Sequence, residues 1–184
     1  MREQSRPQAC DDLAVPVSDR DHVQGSPTAP ALLVEYGDYE CPSCLNAWPV
    51  LREVRRRLGD RVALVFRHYP QSSIHPRASA AAQAAEAAAN QGKFWDMHDL
   101  LFGHQQELES LDLTHLALQL GLEVYGFQAA LESESHQRKI REDFAGGLRS
   151  GVKGTPTFFL NGCRYQGAVD VPSLVRAIEG AGRG

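Results

Sequence analysis

Glu40-Cys41-Pro42-Ser43-Cys44 is the stretch from which the rest of the chain can be read. An apolar run, Ala31-Leu32-Leu33-Val34-Glu35-Tyr36, precedes it, and a helical pattern follows from Leu45 to Leu58. Two cysteines with two residues between them, after a strand and at the start of a helix, form the pattern of a redox pair on a strand–helix–strand unit. The first amides of a helix have no partner within it, and the helix dipole is positive at that end. A thiolate at Cys41 is favoured there, so its pKa is expected below that of a free thiol. Pro42 suits the first turn because it has no N–H to leave unpaired. Cys44 lies one turn further in, within reach of a disulfide to Cys41.

The same spacing can serve other chemistry. Half of a structural zinc site looks like this, but such a site needs two more ligands, usually a second pair. The other cysteines, Cys10 and Cys163, stand alone and no HxxxH is present, so no metal ligands are assigned. A purely structural disulfide across so short a loop would remove little entropy from the unfolded chain.

A second stretch, Gly151-Val152-Lys153-Gly154-Thr155-Pro156-Thr157-Phe158-Phe159-Leu160, combines a glycine-rich turn, a Thr-Pro pair and a strand. Proline inside a strand removes a ladder hydrogen bond and belongs at its start. Asn161-Gly162 then marks a tight hairpin turn. The order of these features resembles the thioredoxin superfamily, in which the Thr-Pro bond is cis and lies beside the cysteine pair. The resemblance extends to the DsbA-like branch through residues 33–44, Phe66-Arg67-His68-Tyr69-Pro70, Gln91-Gly92-Lys93-Phe94-Trp95 and Gly154-Thr155-Pro156-Thr157-Phe158-Phe159, and covers roughly residues 14–180.

That resemblance implies an α/β thioredoxin-like fold with an inserted helical subdomain, and a protein disulfide oxidoreductase. Cys41 is the expected nucleophile and Cys44 the resolving thiol. Pro42, Ser43, Thr155 and Pro156 are expected to shape the site, the last two as the docking groove for an extended substrate. The redox-active Cys41–Cys44 disulfide would be the only redox group, with no organic cofactor or metal. Expected partners are protein or peptide thiols and disulfides, with a further redox partner not identified by the sequence. Ser43 stands where many members carry an aromatic residue or His. That position helps set thiolate stability, so the family's oxidising strength does not carry over.

Five further residues are read as tuning the pair. Glu35 lies in a strand that reads as buried, where an acid must be paired or neutral. A raised pKa and proton exchange with Cys44 through water are expected; the alternative is an outward-facing or salt-bridged carboxylate. Asp38 and Glu40 are negative, lie near Cys41 and should raise its pKa. Arg67 or His68, from the end of the second strand, would compensate.

The 184 residues fit one domain, or one domain with an insertion. A net charge of -4 is too mild to imply nucleic acid, and no apolar run approaches a membrane span. Residues 1–22 lack the apolar core of a signal peptide, which points to the cytoplasm for the sequence as it stands and to a secreted or periplasmic protein if a leader has been removed. Residues 1–12 read as a disordered lead-in, 13–74 and 153–180 as the two parts of the thioredoxin-like domain, 75–152 as inserted helices, and 181–184 as a frayed tail. Within these, a short edge strand is expected at 13–17, buried strands at 31–36 and 62–66, and a helix at 78–89 carrying nine alanines. Pro49 should kink the first helix, and Gly146-Gly147 should weaken or kink the last inserted one. Cys10 is expected as a free thiol or chance pairing, and Cys163 as a small buried residue, since the strand from Pro156 carries it roughly 16 Å from the active edge. Two other functions stay open on the same fold: a glutathione-using isomerase or transferase, and a non-catalytic, chaperone-like peptide-binding module.

Overall fold

A computed structural model describes residues 10, 12–108, 112–131 and 133–182. Five strands form one sheet in the order β1-β3-β2-β4-β5. They are β1 His22–Gln24, β2 Ala31–Gly37, β3 Val62–His68, β4 Thr157–Leu160 and β5 Cys163–Arg164. The two apolar runs pair in parallel, Ala31 opposite Val62 through Gly37 opposite His68. The 17-residue helix α1, Pro42–Leu58, makes the crossover between them. This is the arrangement that strand–helix–strand order demands. β4 runs antiparallel to β2 and turns at Asn161-Gly162 into β5.

Five helices lie between β3 and β4: α2 Ala78–Ala89, α3 Phe94–Gly103, α4 Leu113–Gln119, α5 Val124–Leu131 and α6 Glu134–Arg149. The last described helix is α7, Val171–Ala181, which reaches one residue into the stretch expected to fray; residues 183 and 184 of that stretch lie outside the described residues. One sheet face packs Leu33, Leu64 and Phe158 against Leu51 and Val54 of α1 and Leu174 and Ile178 of α7. The other packs Val34, Tyr36, Val65 and Phe159 with Tyr69, Val152 and Phe144. The alanines of α2 let α3 and α5 approach closely, around Met97, Leu101 and Phe127.

Several expectations are corrected. Residues 13–17 form no strand; the edge strand is His22–Gln24, antiparallel to β3. The carbonyls of Val15 and Pro16 instead accept from the Arg67 guanidinium. As the sequence leads one to expect, α1 runs to Leu58, with Pro49 inside it, and ends where Gly59 takes a positive φ of 54° that favours glycine. α6 likewise runs through Gly146-Gly147 to Arg149. Those glycines permit close packing: a Cβ at Gly147 would stand 2.7 Å from the Tyr69 ring and 3.0 Å from that of Tyr36. Of the apolar residues of α6, Ile140 is buried and Leu148 is exposed.

The lead-in also differs. Residues 1–9 and 11 lie outside the described residues, but Asp12 and Leu13 are tied to the β4–β5 hairpin. Asp12 accepts from the Arg164 amide at 2.9 Å, and the Leu13 amide donates to Gly162 O at 3.0 Å. This brings Cys10 alongside Cys163, and the two form a disulfide with Cα atoms 5.2 Å apart and a sequence separation of 153. Neither is a free thiol.

Candidate active site

The C-terminal edge of β2 turns directly into α1, so Cys41 becomes the extended N-cap of that helix. Its carbonyl accepts from the amides of Cys44 and Leu45, both at 3.1 Å. Cys41 is 6% exposed and Cys44 fully buried, and both are free thiols. Across from them the Thr155–Pro156 peptide bond is cis, and Cys41 Sγ donates to Thr155 O at 3.3 Å. Pro42 and Ser43 are exposed on the first turn.

The two sulfurs have opposite electrostatic surroundings. The hydrogen bond from the Cys44 thiol pulls the Cys41 thiol down most strongly; burial opposes it, and the Thr155 side chain and the amides of Cys44 and Ser43 add further donors, leaving it at about 5. Burial pushes the Cys44 thiol well above its ordinary value, reinforced by its hydrogen bond to Cys41 and by the negative charges of Glu35 and Cys41. Glu35 lies beneath the pair. Burial first, then the charge on Cys41, raises its carboxyl to about 8, against a lowering hydrogen bond with Cys44. Its Oε1 is the buried side-chain polar atom without a hydrogen-bond partner among the described residues. A cavity of about 20 Å³ beside it, lined also by Trp48, Trp95, His98 and Phe158, is large enough for one water.

Asp38 and Glu40 sit close to Cys41, but their carboxylates bind backbone amides. Asp38, with no side-chain exposure, accepts from the Glu40 amide, the Gln71 amide and His75 Nδ1, each at 2.8 Å. Its carbonyl accepts from the Cys41 amide at 3.2 Å. Glu40 accepts from the Arg77 amide at 2.6 Å. Neither is among the main causes of the Cys41 shift; both carboxylates hold the loop in shape, and the Asp38 backbone lowers the Cys44 thiol.

Arg67 and His68 are not brought to the cysteines. Arg67 turns to Asp21, at 2.7 and 3.0 Å, and to the Tyr36 hydroxyl. His68 turns to Glu86, whose Oε1 is 2.8 Å from Nε2 of both His68 and His22. These three side chains are the group among the described residues with the spacing to hold a cation, and they are already joined by hydrogen bonds. Burial alone would raise the Glu86 carboxyl, but hydrogen bonds from His22 and His68 hold it below the usual carboxylate range.

Three residues at the site carried no signal in the sequence. Gln71 and His75 come from the loop after β3, and Gln105 from a 3-10 turn in the helical segment. Gln105 Nε2 donates to the carbonyls of Tyr39, at 2.8 Å, and Cys41, at 2.9 Å. All three are single polar residues in loops, where periodicity has no hold.

Comparison with known proteins agrees with this geometry. A family model described as thioredoxin matches residues 17–180. A thioredoxin-like oxidoreductase from Silicibacter pomeroyi is 26% identical and superposes with a TM-score of 0.77, covering 91% of this chain and 95% of that one. Wolbachia pipientis alpha-DsbA1, at 19% identity, shares the fold with a TM-score of 0.79 over 94% of this chain and 96% of its own. A Salinispora arenicola protein named Na(+)/H(+) antiporter NhaA 1 is 46% identical over 171 residues, 92% of this chain but 26% of that protein. The chain thus spans about a quarter of the length of the curated relatives it matches. Among its described residues no helix is long and apolar enough to cross a membrane. From the matching family model, the shared sheet and the Cys41–Cys44 pair facing Thr155–Pro156, this chain belongs to the thioredoxin family, and its fold is the one seen in alpha-DsbA1.

Proposed function

We propose that the protein exchanges disulfides with protein or peptide substrates through Cys41 and Cys44. The observation that carries this reading is the split between the two sulfurs: a thiolate-stabilised Cys41 at the helix terminus and a shielded, protonated Cys44 one turn in. Cys41 as thiolate attacks one sulfur of a substrate disulfide, and the other substrate sulfur leaves as a thiolate. In the mixed disulfide the Cys41 charge that helps keep Glu35 protonated is gone; Glu35, in its carboxylate form, takes the proton of Cys44, which attacks the Cys41 sulfur. The substrate's second sulfur leaves, and the Cys41–Cys44 disulfide remains. Run backwards, the same steps donate a disulfide. The Thr155–Pro156 turn borders the groove in which an extended substrate segment would lie, and no group beyond the two thiols is needed for the electron transfer.

The Cys10–Cys163 disulfide favours an oxidising compartment over the cytoplasm, because such bridges persist where thiols are not kept reduced. Antiport belongs to the relatives' full-length chains and is not part of this reading. The test is turnover of a disulfide-bonded peptide by single variants. Cys41→Ser should abolish exchange, and Cys44→Ser should accumulate a mixed disulfide visible by mass. Full turnover by either variant would overturn the proposal. Binding of unfolded peptides without turnover by the wild type would favour the chaperone-like alternative, and glutathione conjugation would favour the transferase.

A further inference from the structure

Glu86 is the one acid of the alanine-rich helix α2, and it is buried. A carboxylate in such a place needs partners. It has two: its Oε1 lies 2.8 Å from Nε2 of His22 and 2.8 Å from Nε2 of His68. The three side chains come from β1, the end of β3 and α2, with sequence separations of 64 and 18 to Glu86, so no short spacing announces them. Their three donor atoms all lie within 4.8 Å of one another. A single imidazole would satisfy the carboxylate oxygen. Two imidazole edges and a carboxylate turned to one point are also the donor set of a metal ion.

We propose that His22, His68 and Glu86 bind one divalent transition-metal ion of the zinc type. This site stands apart from the redox function proposed above, and the ion takes no part in electron transfer. Imidazole nitrogen with carboxylate oxygen suits Zn2+, whereas Ca2+ and Mg2+ take oxygen donors. Bonds of about 2.0–2.1 Å in a tetrahedral site set the donor atoms roughly 3.3 Å apart. Each nitrogen–oxygen separation therefore opens by about 0.5 Å from its hydrogen-bonded value when the ion enters. Each ring must also present a bare Nε2, so a proton held between it and Glu86 moves to Nδ1 or to solvent.

The surroundings hold the rings in place. His22 stacks on Phe94, with centroids 3.5 Å apart and planes within 8°. Phe94 also meets the His68 ring edge-on at 6.0 Å. The His68 backbone is fixed in β3 opposite Gly37, and its amide donates to buried Asp143 at 3.2 Å. His98, a further buried imidazole, is taken by the Tyr39 hydroxyl at 3.1 Å and stays outside the set. The side chains of His68 and Glu86 are 1% and 7% exposed and that of His22 is 18% exposed, so the ion enters past His22 and keeps its fourth position there for water. Once bound, it ties β1 and the end of β3 to the first inserted helix. The cysteine turn is close by, since the ring of Tyr39, two residues before Cys41, is 6.0 Å from that of His68.

The test is a Co2+ titration of the full chain carrying Cys41→Ser and Cys44→Ser, which removes the two thiols as competing ligands. One equivalent of Co2+ should give the visible absorption of a four-coordinate ion. One equivalent of Zn2+ should abolish it, and an excess of Ca2+ or Mg2+ should not. Zn2+ should also raise the melting temperature, because it binds the folded state. In the same background Glu86→Gln keeps the size of the side chain but loses the anionic donor, and His22→Phe keeps the stack on Phe94 but loses the imidazole. Each should weaken Co2+ binding by more than about 10²-fold, beyond the ~10–100-fold that loss of an outer-shell partner costs. His22→Gln retains a donor to Glu86 and stands in for phenylalanine should that variant fold poorly. His115→Gln, at an exposed position on α4, should bind Co2+ as its parent does. Absence of the four-coordinate band at one equivalent would overturn the inference. So would a band that survives both Glu86→Gln and the His22 variant undiminished, which would show an adventitious surface ion only.

Discussion

Replacing Glu35 by Gln tests whether the carboxyl beneath the cysteines holds a proton that it can exchange with Cys44. In the reduced, folded chain burial and the Cys41 charge keep Glu35 protonated to about pH 8, against 4.5 for a carboxyl in water. Between those values the folded state carries a proton that the unfolded state has already released. Stability contributed by this site therefore falls as pH rises, by about 1.4 kcal/mol for each pH unit. Across the window the cost reaches about 5 kcal/mol, a large share of the ~5–15 kcal/mol that keeps a typical domain folded. Glutamine has the same shape and cannot ionise, so the variant escapes the cost. Urea unfolding of the reduced proteins should give similar stabilities near pH 4.5, a gap in favour of Glu35→Gln that widens up to pH 8, and a constant gap above it. In the oxidised protein the gap should be smaller, because the Cys41 thiolate, the second cause of the raised pKa, is no longer there. The same variant should slow the attack of Cys44 on a mixed disulfide by about 10²-fold, as expected for loss of a positioned base. A stability gap that stays level from pH 5 to pH 8 would mean that Glu35 ionises normally, and the proton-exchange reasoning would fail with it.

Four other outcomes follow from the same geometry. Iodoacetamide should alkylate Cys41 with a midpoint near pH 5 and leave Cys44 unlabelled through pH 9, and mass mapping that found both cysteines labelled with one midpoint near 9 would contradict the split environment. The stabilisation that the lowered Cys41 pKa lends the reduced protein is complete above about pH 9 and is lost as pH falls toward 5. Opening the Cys10–Cys163 bridge with the double variant Cys10→Ala/Cys163→Ala should lower stability by about 3–5 kcal/mol, given how long a loop it closes, while leaving the Cys41 titration in place; equal melting temperatures would show the bridge to be idle. Gly147→Ala should lower stability by about 1–3 kcal/mol through overpacking against Tyr69 and Tyr36, more than the ~1 kcal/mol that alanine gains in helix propensity, and a stabilised variant would show that α6 can shift away from the sheet.

Which parts of this site can be read from the chain depends on the range of the physics involved. Cys41-Pro42-Ser43-Cys44 is legible because each of its properties, the free amides, the dipole and the one-turn spacing, is fixed within five residues. Parallel pairing of β2 and β3 is legible because a strand–helix–strand segment has one favoured handedness. Glu35 is legible because an acid in an apolar strand is conspicuous, and burial alone accounts for most of what happens to it. Arg67 and His68 mark the limit. Their place at the end of β3 is correct, but whether they meet the cysteines depends on where Asp21 and Glu86 stand, and those arrive from an irregular segment and an inserted helix. The bridge between Cys10 and Cys163 depends in the same way on a contact across 153 positions, made possible by backbone bonds from Asp12 and Leu13.

Gln71, His75 and Gln105 lie furthest from any sequence signal, yet they hold the cysteine turn from both sides. Gln105 fixes the carbonyl of Cys41 from the helical segment, and Gln71 fixes Thr155 from the loop after β3. The consequence is a division of labour within the site. The reacting atoms come from a short motif whose chemistry would be much the same on any helix N-terminus. Their pKa values come from the hydrogen bond between them, from the amides of Ser43 and Cys44, from the Thr155 side chain, from Glu35 and from burial. A homologue could therefore keep Cys41 and Cys44 unchanged and still differ in thiolate stability through a substitution at the position equivalent to Thr155. Because this side chain carries no charge, such differences should persist at high salt, whereas tuning by surface charges would be screened within about 10 Å at 0.1 M ionic strength.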